Sequence, residues 1–179
     1  ETHAVDVDGT WLADPVFRAD DDRLPSSVPA ADTAPVLRAA VDLSELPRLR
    51  QTRREAQIIA DLSGDAAPWI ATDFHASRRA VLDADWSRFA GVHFATHALV
   101  DLRNPELSGI VLSLYDPQGR PDDGFVRIGD LYHLNMPVDL VVLSMCDSAG
   151  GDAPGSEGVF SLARAFFHAG ARRVVATLW

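Results

Sequence analysis

The sequence predicts an α/β protein, a three-layer sandwich in which helices cover both faces of a mostly parallel central sheet. Stretches with the patterns of strands and helices alternate along the chain, which is typical of parallel sheets. The run from Leu140 to Ser144 is rich in β-branched residues and shows no polar alternation, as expected of a central strand covered on both faces. The length of 179 residues and the 47% apolar content fit one compact domain.

The N-terminal part of the chain combines a short stranded region with a long irregular one. Residues 5–13 alternate polar and apolar side chains and predict one or two strands. Residues 14–42 contain prolines, an acidic run and many small side chains, so we expect a largely mobile loop. Thr52 and Glu55 then have the spacing of a capping box, which predicts that a helix of about three turns starts there.

Predicted strands and helices continue to alternate along the rest of the chain. Thr72 is predicted to cap a helix that runs through residues 80–82, and Ser156 to cap a helix that Gly170 ends. A shorter helix is expected at residues 128–134. Apolar runs predict the other strands at residues 67–71, 92–96, 107–114, 140–144 and 174–178. We interpret residues 1–179 as a single domain.

Composition argues against several classes of protein. The net charge is −10 and no stretch is densely basic, which argues against nucleic-acid binding through this chain. One cysteine cannot form an intramolecular disulfide or a cysteine-based zinc cluster, which favours a cytoplasmic location. No apolar run is long enough to cross a membrane, and residues 1–6 lack the basic and apolar regions of a signal peptide, so we expect neither feature. Because no metal-ligand pattern occurs either, we expect no metal and no other cofactor.

Two residues with catalytic chemistry follow predicted central strands. His97 comes directly after the strand at residues 92–96, and Cys146 comes just after the strand at residues 140–144. Ligands of parallel sheets bind at the carboxyl ends of the central strands, so these two side chains converge if their strands are neighbours. A thiol beside an imidazole can act as a nucleophile activated by its base. Backbone N–H groups at Cys146 and beside His97 are then placed to bind an oxyanion.

Structural interpretations compete with this catalytic one. A lone cysteine at the end of a strand is most often a small buried apolar residue, and only its pairing with His97 favours a catalytic role. His93 lies mid-strand and is predicted to be a packed core histidine. The loop that begins with Asp147 and Ser148 is small and flexible enough to admit a substrate backbone, so both residues are candidates for substrate binding.

Several stretches resemble the CHAT domain, a caspase-like peptidase domain that is usually found downstream of tetratricopeptide repeats. They occur in the family's order and together cover most of the chain: Ala13–Phe17, Leu46–Ala56, Val92–His97, Asn104–Ser113, Asp139–Cys146 and Gly155–Trp179. The resemblance implies the fold of caspases and separase and a cysteine peptidase whose His/Cys dyad maps onto His97 and Cys146. It implies an oxyanion site formed by the backbone N–H groups of Ala98 and Cys146.

The chain departs from the family pattern at four places, one of which is the stretch Met145–Ala149 around the nucleophile, where the family more often has Ala-Cys-Glu-Thr-Gly. Ala98 stands where the family usually has glycine after the histidine. Ser144, two residues before Cys146, stands where some relatives specific for basic residues carry Asp, so a preference for Arg or Lys is not carried over. The sequence stops at Trp179, where the family normally continues through another strand and helix, so we expect a domain that is incomplete at its C-terminus.

These observations predict a cysteine endopeptidase that cleaves a protein or peptide partner. By resemblance it is the effector domain of a regulated bacterial protein, with an upstream repeat or sensor domain as a further partner. The alternative is a degenerate member that keeps the fold and acts as a binding or scaffolding module. A third possibility, a hydrolase of small esters or amides, has only the general α/β layout in its favour.

Overall fold

A computed structural model describes residues 9–25, 46–62, 68–101, 104–147 and 156–177. Within these ranges the chain forms seven strands and four α-helices. The strands are β1 (Gly9–Ala13), β2 (Trp69–Thr72), β3 (Gly91–Leu99), β4 (Gly109–Val111), β5 (Phe125–Arg127), β6 (Leu140–Asp147) and β7 (Val174–Ala176). The helices are α1 (Arg50–Leu62), α2 (Arg78–Leu82), α3 (Ile128–Tyr132) and α4 (Ser156–Ala169).

Five of the strands run parallel in the order β2-β1-β3-β6-β7. β3 is the longest at nine residues and lies at the centre. It pairs with β6 on one side, while its other side pairs first with β1 and then, beyond Ala95, with the antiparallel β4. β5 completes the sheet as the antiparallel neighbour of β4. The predicted α/β class with a mostly parallel sheet is therefore confirmed.

Helices pack on both faces of this sheet, as its apolar strands require. On one face Phe94 of β3 and Leu143 of β6 join a buried cluster with residues of α2, α3 and α4, where the Phe94 and Phe166 rings lie 5.4 Å apart. On the other face Trp11 and Ala95 pack against Ala56 of α1. Because side chains alternate along a strand, the residues of β3 on the α1 face are the odd-numbered ones, which include His97.

Two helix starts differ from the prediction. α1 begins at Arg50, so Thr52 lies within its first turn and the predicted capping box is wrong. The Thr52 hydroxyl instead donates to the Leu49 carbonyl at 2.7 Å and accepts the backbone N–H of Asp14 at 3.0 Å. Thr72 makes no side-chain cap either, and Ser77 caps α2 by accepting the backbone N–H of Ala80.

The C-terminal end of α4 follows the prediction. Gly170 adopts a φ of 114°, which glycine accommodates without steric cost. The N–H groups of Gly170 and Ala171 donate to the carbonyls of Phe167 and Phe166, at 3.1 and 3.0 Å, and so satisfy carbonyls at the end of the helix.

The segment after β1 is packed against the domain. Residues 14–25 form no helix or strand, as predicted, but Val16 and Phe17 are fully buried. The backbone N–H of Val16 donates to the Ser113 hydroxyl at 2.9 Å. The burial of these two apolar side chains fixes a segment whose composition is otherwise that of a mobile loop. The rest of the predicted loop, residues 26–42, lies outside the described ranges. Among the described helices, none combines the length and apolarity that a membrane crossing needs.

Candidate active site

His97 and Cys146 lie in register on the adjacent parallel strands β3 and β6. Both strands extend further than predicted, so the two residues are near the strand ends but still within them. Paired positions of neighbouring strands are about 4.8 Å apart and share a face of the sheet. The adjacency expected from the sequence is therefore present in the backbone. The side chain of Cys146 is outside the described part of the structure, and the dyad itself stays a prediction.

The ring of His97 is held by a backbone carbonyl. Its Nε2 lies 2.8 Å from the carbonyl oxygen of Pro47, and the side chain is buried on the α1 face, with 2% of the residue exposed. A carbonyl oxygen can only accept a hydrogen bond, so Nε2 carries the proton. In the neutral ring the lone pair is then on Nδ1, which is the nitrogen that can accept a proton.

Burial keeps His97 neutral. Loss of solvent lowers the pKa of the ring below its ordinary value, while the hydrogen bond to the Pro47 carbonyl opposes this shift without reversing it. The Phe17 ring meets His97 edge to face, with ring centroids 4.9 Å apart. Two segments distant in sequence therefore fix the orientation of one imidazole.

Ion pairs anchor both of those segments. Arg48, next to Pro47, makes a two-pronged contact with the carboxylate of Asp14, at 2.9 and 2.8 Å. Asp14 is fully buried, follows the last residue of β1 and adopts a φ of 47°. Pro47 is next to Arg48 and Phe17 is three residues after Asp14, so this contact connects the Pro47 carbonyl to the loop that carries Phe17.

A larger group of charges surrounds this contact. Asp14, Asp21 and Asp73 face Arg23, Arg48 and Arg53, and we call these six residues the arginine cluster. Asp14 and Asp73 directly follow β1 and β2, so the cluster lies at the carboxyl edge of the sheet. Burial alone raises the pKa of Asp73, but hydrogen bonds from Arg53 and Arg23 outweigh it and the pKa lies below its ordinary value.

The sequence analysis predicted neither the Pro47 contact nor the arginine cluster. The Pro47 contact uses a main-chain oxygen, which every residue carries, so no residue type marks it. The available signals were Arg48 and Arg53, which flank the start of α1, and Asp14, which directly follows a strand. They are weak because buried ion pairs need partners that are distant in sequence, here by 34 and 39 residues.

The other predicted site residues are placed as follows. Ala98 lies within β3, in register with Asp147 of β6 and with Ile110 of β4. Its backbone is extended, so alanine fits there without the glycine that the family usually has. Asp147 ends β6 and its side chain is not described, while Ser148 lies outside the described residues. The oxyanion and substrate-binding roles of these residues stay predictions.

His93 shares the α1 face of β3 with His97 but has a different neighbour. Its Nε2 lies 3.1 Å from a carboxylate oxygen of Glu55 on α1, close enough for an ion pair but not aligned as a hydrogen bond. Burial lowers the pKa of this ring, and the nearby carboxylate partly offsets the shift. His93 is thus buried in the core, as predicted, and away from the position of Cys146.

A cavity of about 410 Å³ opens between the start of α1 and the end of β6. Its lining includes Arg48, Leu49 and Ser144, the last of which precedes Cys146 by two residues. A larger cavity of about 920 Å³ lies at β2 and α2, where its described lining includes neither His97 nor any residue of β6. Of these two cavities, only the smaller adjoins the candidate dyad.

A family model described as the CHAT domain matches residues 7–179, nearly the whole chain. The match includes His97, Cys146, Pro47 and the arginine cluster. No curated protein and no solved structure matches the chain.

Proposed function

The chain belongs to the CHAT domain family of caspase-like cysteine peptidases, and on that premise we propose that it is a cysteine endopeptidase that cleaves a protein partner. One observation carries the proposal: His97, oriented by the Pro47 carbonyl, is in register with Cys146 on the adjacent parallel strand. The register supports a thiol and an imidazole on the same face of the sheet. The tautomer set by Pro47 leaves Nδ1 as the base that a cysteine nucleophile needs.

In the first half of the reaction, Nδ1 of His97 takes the proton of the Cys146 thiol. The thiolate attacks the scissile carbonyl carbon and forms a C–S bond, with negative charge on the former carbonyl oxygen. The tetrahedral intermediate collapses, the C–N bond breaks, and the leaving amine receives the proton from Nδ1. The product is an acyl-enzyme on Cys146 and a released C-terminal peptide.

The second half regenerates the enzyme. Nδ1 of His97 removes a proton from a water molecule as its oxygen attacks the acyl carbon, and a C–O bond forms. The C–S bond then breaks, and the thiolate leaves with the imidazolium beside it. The N-terminal peptide departs as a carboxylic acid. In both halves the backbone N–H groups of Ala98 and Cys146 are the proposed donors to the oxyanion, and Asp147 and Ser148 contact the substrate backbone.

The biological setting is a further part of the proposal. We place the domain in the bacterial cytoplasm as the effector of a regulated protein, with an upstream repeat or sensor domain that controls it. The single cysteine and the family's usual arrangement support this setting.

The test is a peptide-library cleavage assay with the wild-type protein and Cys146→Ala. We expect defined cleavage products from the wild type and none from the variant. A library left intact by the wild-type protein, or cut equally by both proteins, would refute the peptidase assignment.

A binding or scaffolding module is the second candidate, and the position of Ala98 favours it. β3 has a neighbour on both sides at Ala98, and a strand residue directs its N–H toward one of its neighbours. The Ala98 N–H must then be released from the sheet before it can bind an oxyanion. A degenerate member predicts slow alkylation of Cys146 that does not depend on His97, which separates it from the peptidase.

A further inference from the structure

Within the described residues β2 is an edge strand, which pairs with β1 and with no other strand. Just beyond it, the Asp73 N–H donates to the Asp14 carbonyl at 3.1 Å, on the side of β1. Main-chain groups point to alternate sides along a strand, so the N–H and C=O of Ile70 and the N–H of Thr72 point away from β1. The Thr72 carbonyl faces the same way and accepts the Ala76 N–H at 3.4 Å. The other three groups are placed to bond a further strand.

The cavity of about 920 Å³ at β2 and α2 lies beside this edge and has an aromatic floor. The rings of Trp69 and Phe89 line it and stack, with centroids 6.0 Å apart and planes at 23°. Phe89 in turn contacts the ring of Trp86, which is buried and donates from Nε1 to the Val81 carbonyl at 3.0 Å. Trp69 is nevertheless 38% exposed. A fixed aromatic surface that is only partly covered is typical of the centre of a binding site.

Two arginines lie at the rim of this cavity without an ion-pair partner in the described part of the chain. They are Arg79 of α2 and Arg88, between α2 and β3, and both are exposed. The acids of the rim are Asp83 and Asp85, and the carboxylate of Asp85 already accepts the N–H and the hydroxyl of Ser87, at 3.2 and 2.6 Å. A ligand carboxylate therefore has a guanidinium available to it at this rim.

We propose that the edge of β2 and this cavity together bind an extended segment of a partner protein. The segment adds as a strand beside β2 and places a large apolar side chain against Trp69 and Phe89, while an acidic residue two positions away, on the same face, pairs with Arg88. Main-chain hydrogen bonds to the edge strand give affinity, and the side chains in the cavity give specificity. The described lining includes neither His97 nor any residue of β6, so this inference does not depend on the proposed peptidase function.

The test measures fluorescence anisotropy of a labelled peptide, Asp-Thr-Phe-Thr-Asp-Thr, acetylated and amidated at its ends. The protein is Cys146→Ala, which leaves the peptide intact whether or not the domain is a peptidase. Alternate residues of a strand share a face, so the phenylalanine and both aspartates point into the cavity. Replacing the phenylalanine with alanine, or both aspartates with arginine, should weaken binding at least about tenfold.

Backbone methylation tests the added strand itself. Two further peptides carry N-methyl groups on alternate residues, one at the aspartates and phenylalanine and the other at the threonines. In a strand beside β2, one of these sets of N–H groups faces β2 and the other faces away. One methylated peptide should therefore bind at least about tenfold more weakly than the other, although the two keep the same side chains.

Substitutions in the protein locate the site. Trp69→Ala should weaken binding of the probe at least about tenfold, and Arg88→Glu should reverse the preference toward the peptide with arginine in place of aspartate. Arg54→Glu is the matched control, because Arg54 is an exposed arginine on α1 and undergoes the same change in charge. It should bind the probe as the parent protein does. Circular dichroism checks that all three variants are folded.

The outcomes decide the proposal. Unequal binding of the two methylated peptides, with a preference reversed by Arg88→Glu and not by Arg54→Glu, supports an added strand at β2. Equal binding of the methylated peptides shows that the cavity takes a side chain or a small molecule alone, and overturns the proposal. Absence of saturable binding by the unmethylated probe also overturns it. A dimer in sedimentation velocity that Arg88→Glu dissociates assigns the edge to a second copy of this chain, and overturns the proposal as well.

Discussion

Nε2 of His97 lies 2.8 Å from the carbonyl oxygen of Pro47, fifty residues earlier in the chain. The carbonyl fixes the tautomer of the ring without adding a charge, and burial holds the pKa of His97 below its ordinary value. His93, on the same face of the same strand, faces the carboxylate of Glu55 instead. Of the two rings, His97 is the one whose tautomer is fixed by a hydrogen bond, and it is the histidine in register with the cysteine.

The first prediction concerns the reactivity of Cys146. If Nδ1 of His97 accepts the thiol proton, the thiol pKa falls below about 8.5 and the wild-type protein alkylates with iodoacetamide at mildly acidic pH. His97→Ala should slow this reaction about tenfold or more. The rate is measured by mass spectrometry of the single cysteine.

His93→Ala is the matched control for that experiment. It removes an imidazole from the same face of β3, but His93 is in register with Val142 and not with Cys146. We expect an alkylation rate close to that of the wild type. Equal and slow labelling in all three proteins would show that Cys146 is an ordinary buried thiol and would favour the binding module.

The second prediction is a loss of stability in mild acid. Burial lowers the pKa of both His93 and His97 below 6.5, so the unfolded chain binds protons at a higher pH than the folded protein does. The free energy of unfolding should therefore fall as the pH drops below about 6.5 toward the lowered pKa values. The carboxylates with lowered pKa, Asp73 among them, lose their stabilising effect only at lower pH, below about 4.

Urea unfolding at about pH 7 and about pH 5 measures this loss. In His93→Gln the loss between the two pH values should be smaller, because one of the two titrating rings is gone. A stability that does not change between the two pH values would contradict the assignment of buried neutral histidines.

The sequence predicts the strands of this sheet better than their ends. β3 and β6 have apolar runs that mark them as covered strands, but their predicted ends fall several residues early, before His97 and Cys146. Polar residues are normally read as the end of a buried strand. Here His97 stays inside because Pro47 and Phe17, from elsewhere in the chain, satisfy and cover it. Such contacts have no local signature.

The third prediction uses two glycines near β5. A Cβ at Gly124 would lie 2.2 Å from the carbonyl oxygen of Ser113 and 2.6 Å from that of Leu112, and backbone atoms cannot move aside cheaply. Gly124→Ala should lower the free energy of unfolding by about 1–3 kcal/mol. Gly129 lies within α3 with nothing within 4 Å of the same position, so Gly129→Ala should raise it by up to about 1 kcal/mol. Urea unfolding of the two variants should move the midpoint in opposite directions.

The fourth prediction tests whether the arginine cluster positions His97. Asp14→Asn removes the buried charge that Arg48 and Arg53 share, and asparagine tolerates the left-handed backbone at this position. The arginines are partly solvated, so the cost should be about 2 kcal/mol, below that of breaking a fully buried pair. Asp20→Asn is the control, because Asp20 pairs with Arg18 at the exposed surface, and its stability should not change measurably.

Stability alone does not show a positioning role, so the same variants are compared by alkylation of Cys146 under conditions where all are folded. Without Asp14, Arg48 no longer holds the segment that presents the Pro47 carbonyl, and His97 loses its fixed orientation. Asp14→Asn should therefore slow alkylation in the same direction as His97→Ala, though by less, while Asp20→Asn reacts at the wild-type rate. If Asp14→Asn is destabilised yet labels as fast as the wild type, the cluster supports the fold and has no part in orienting the base.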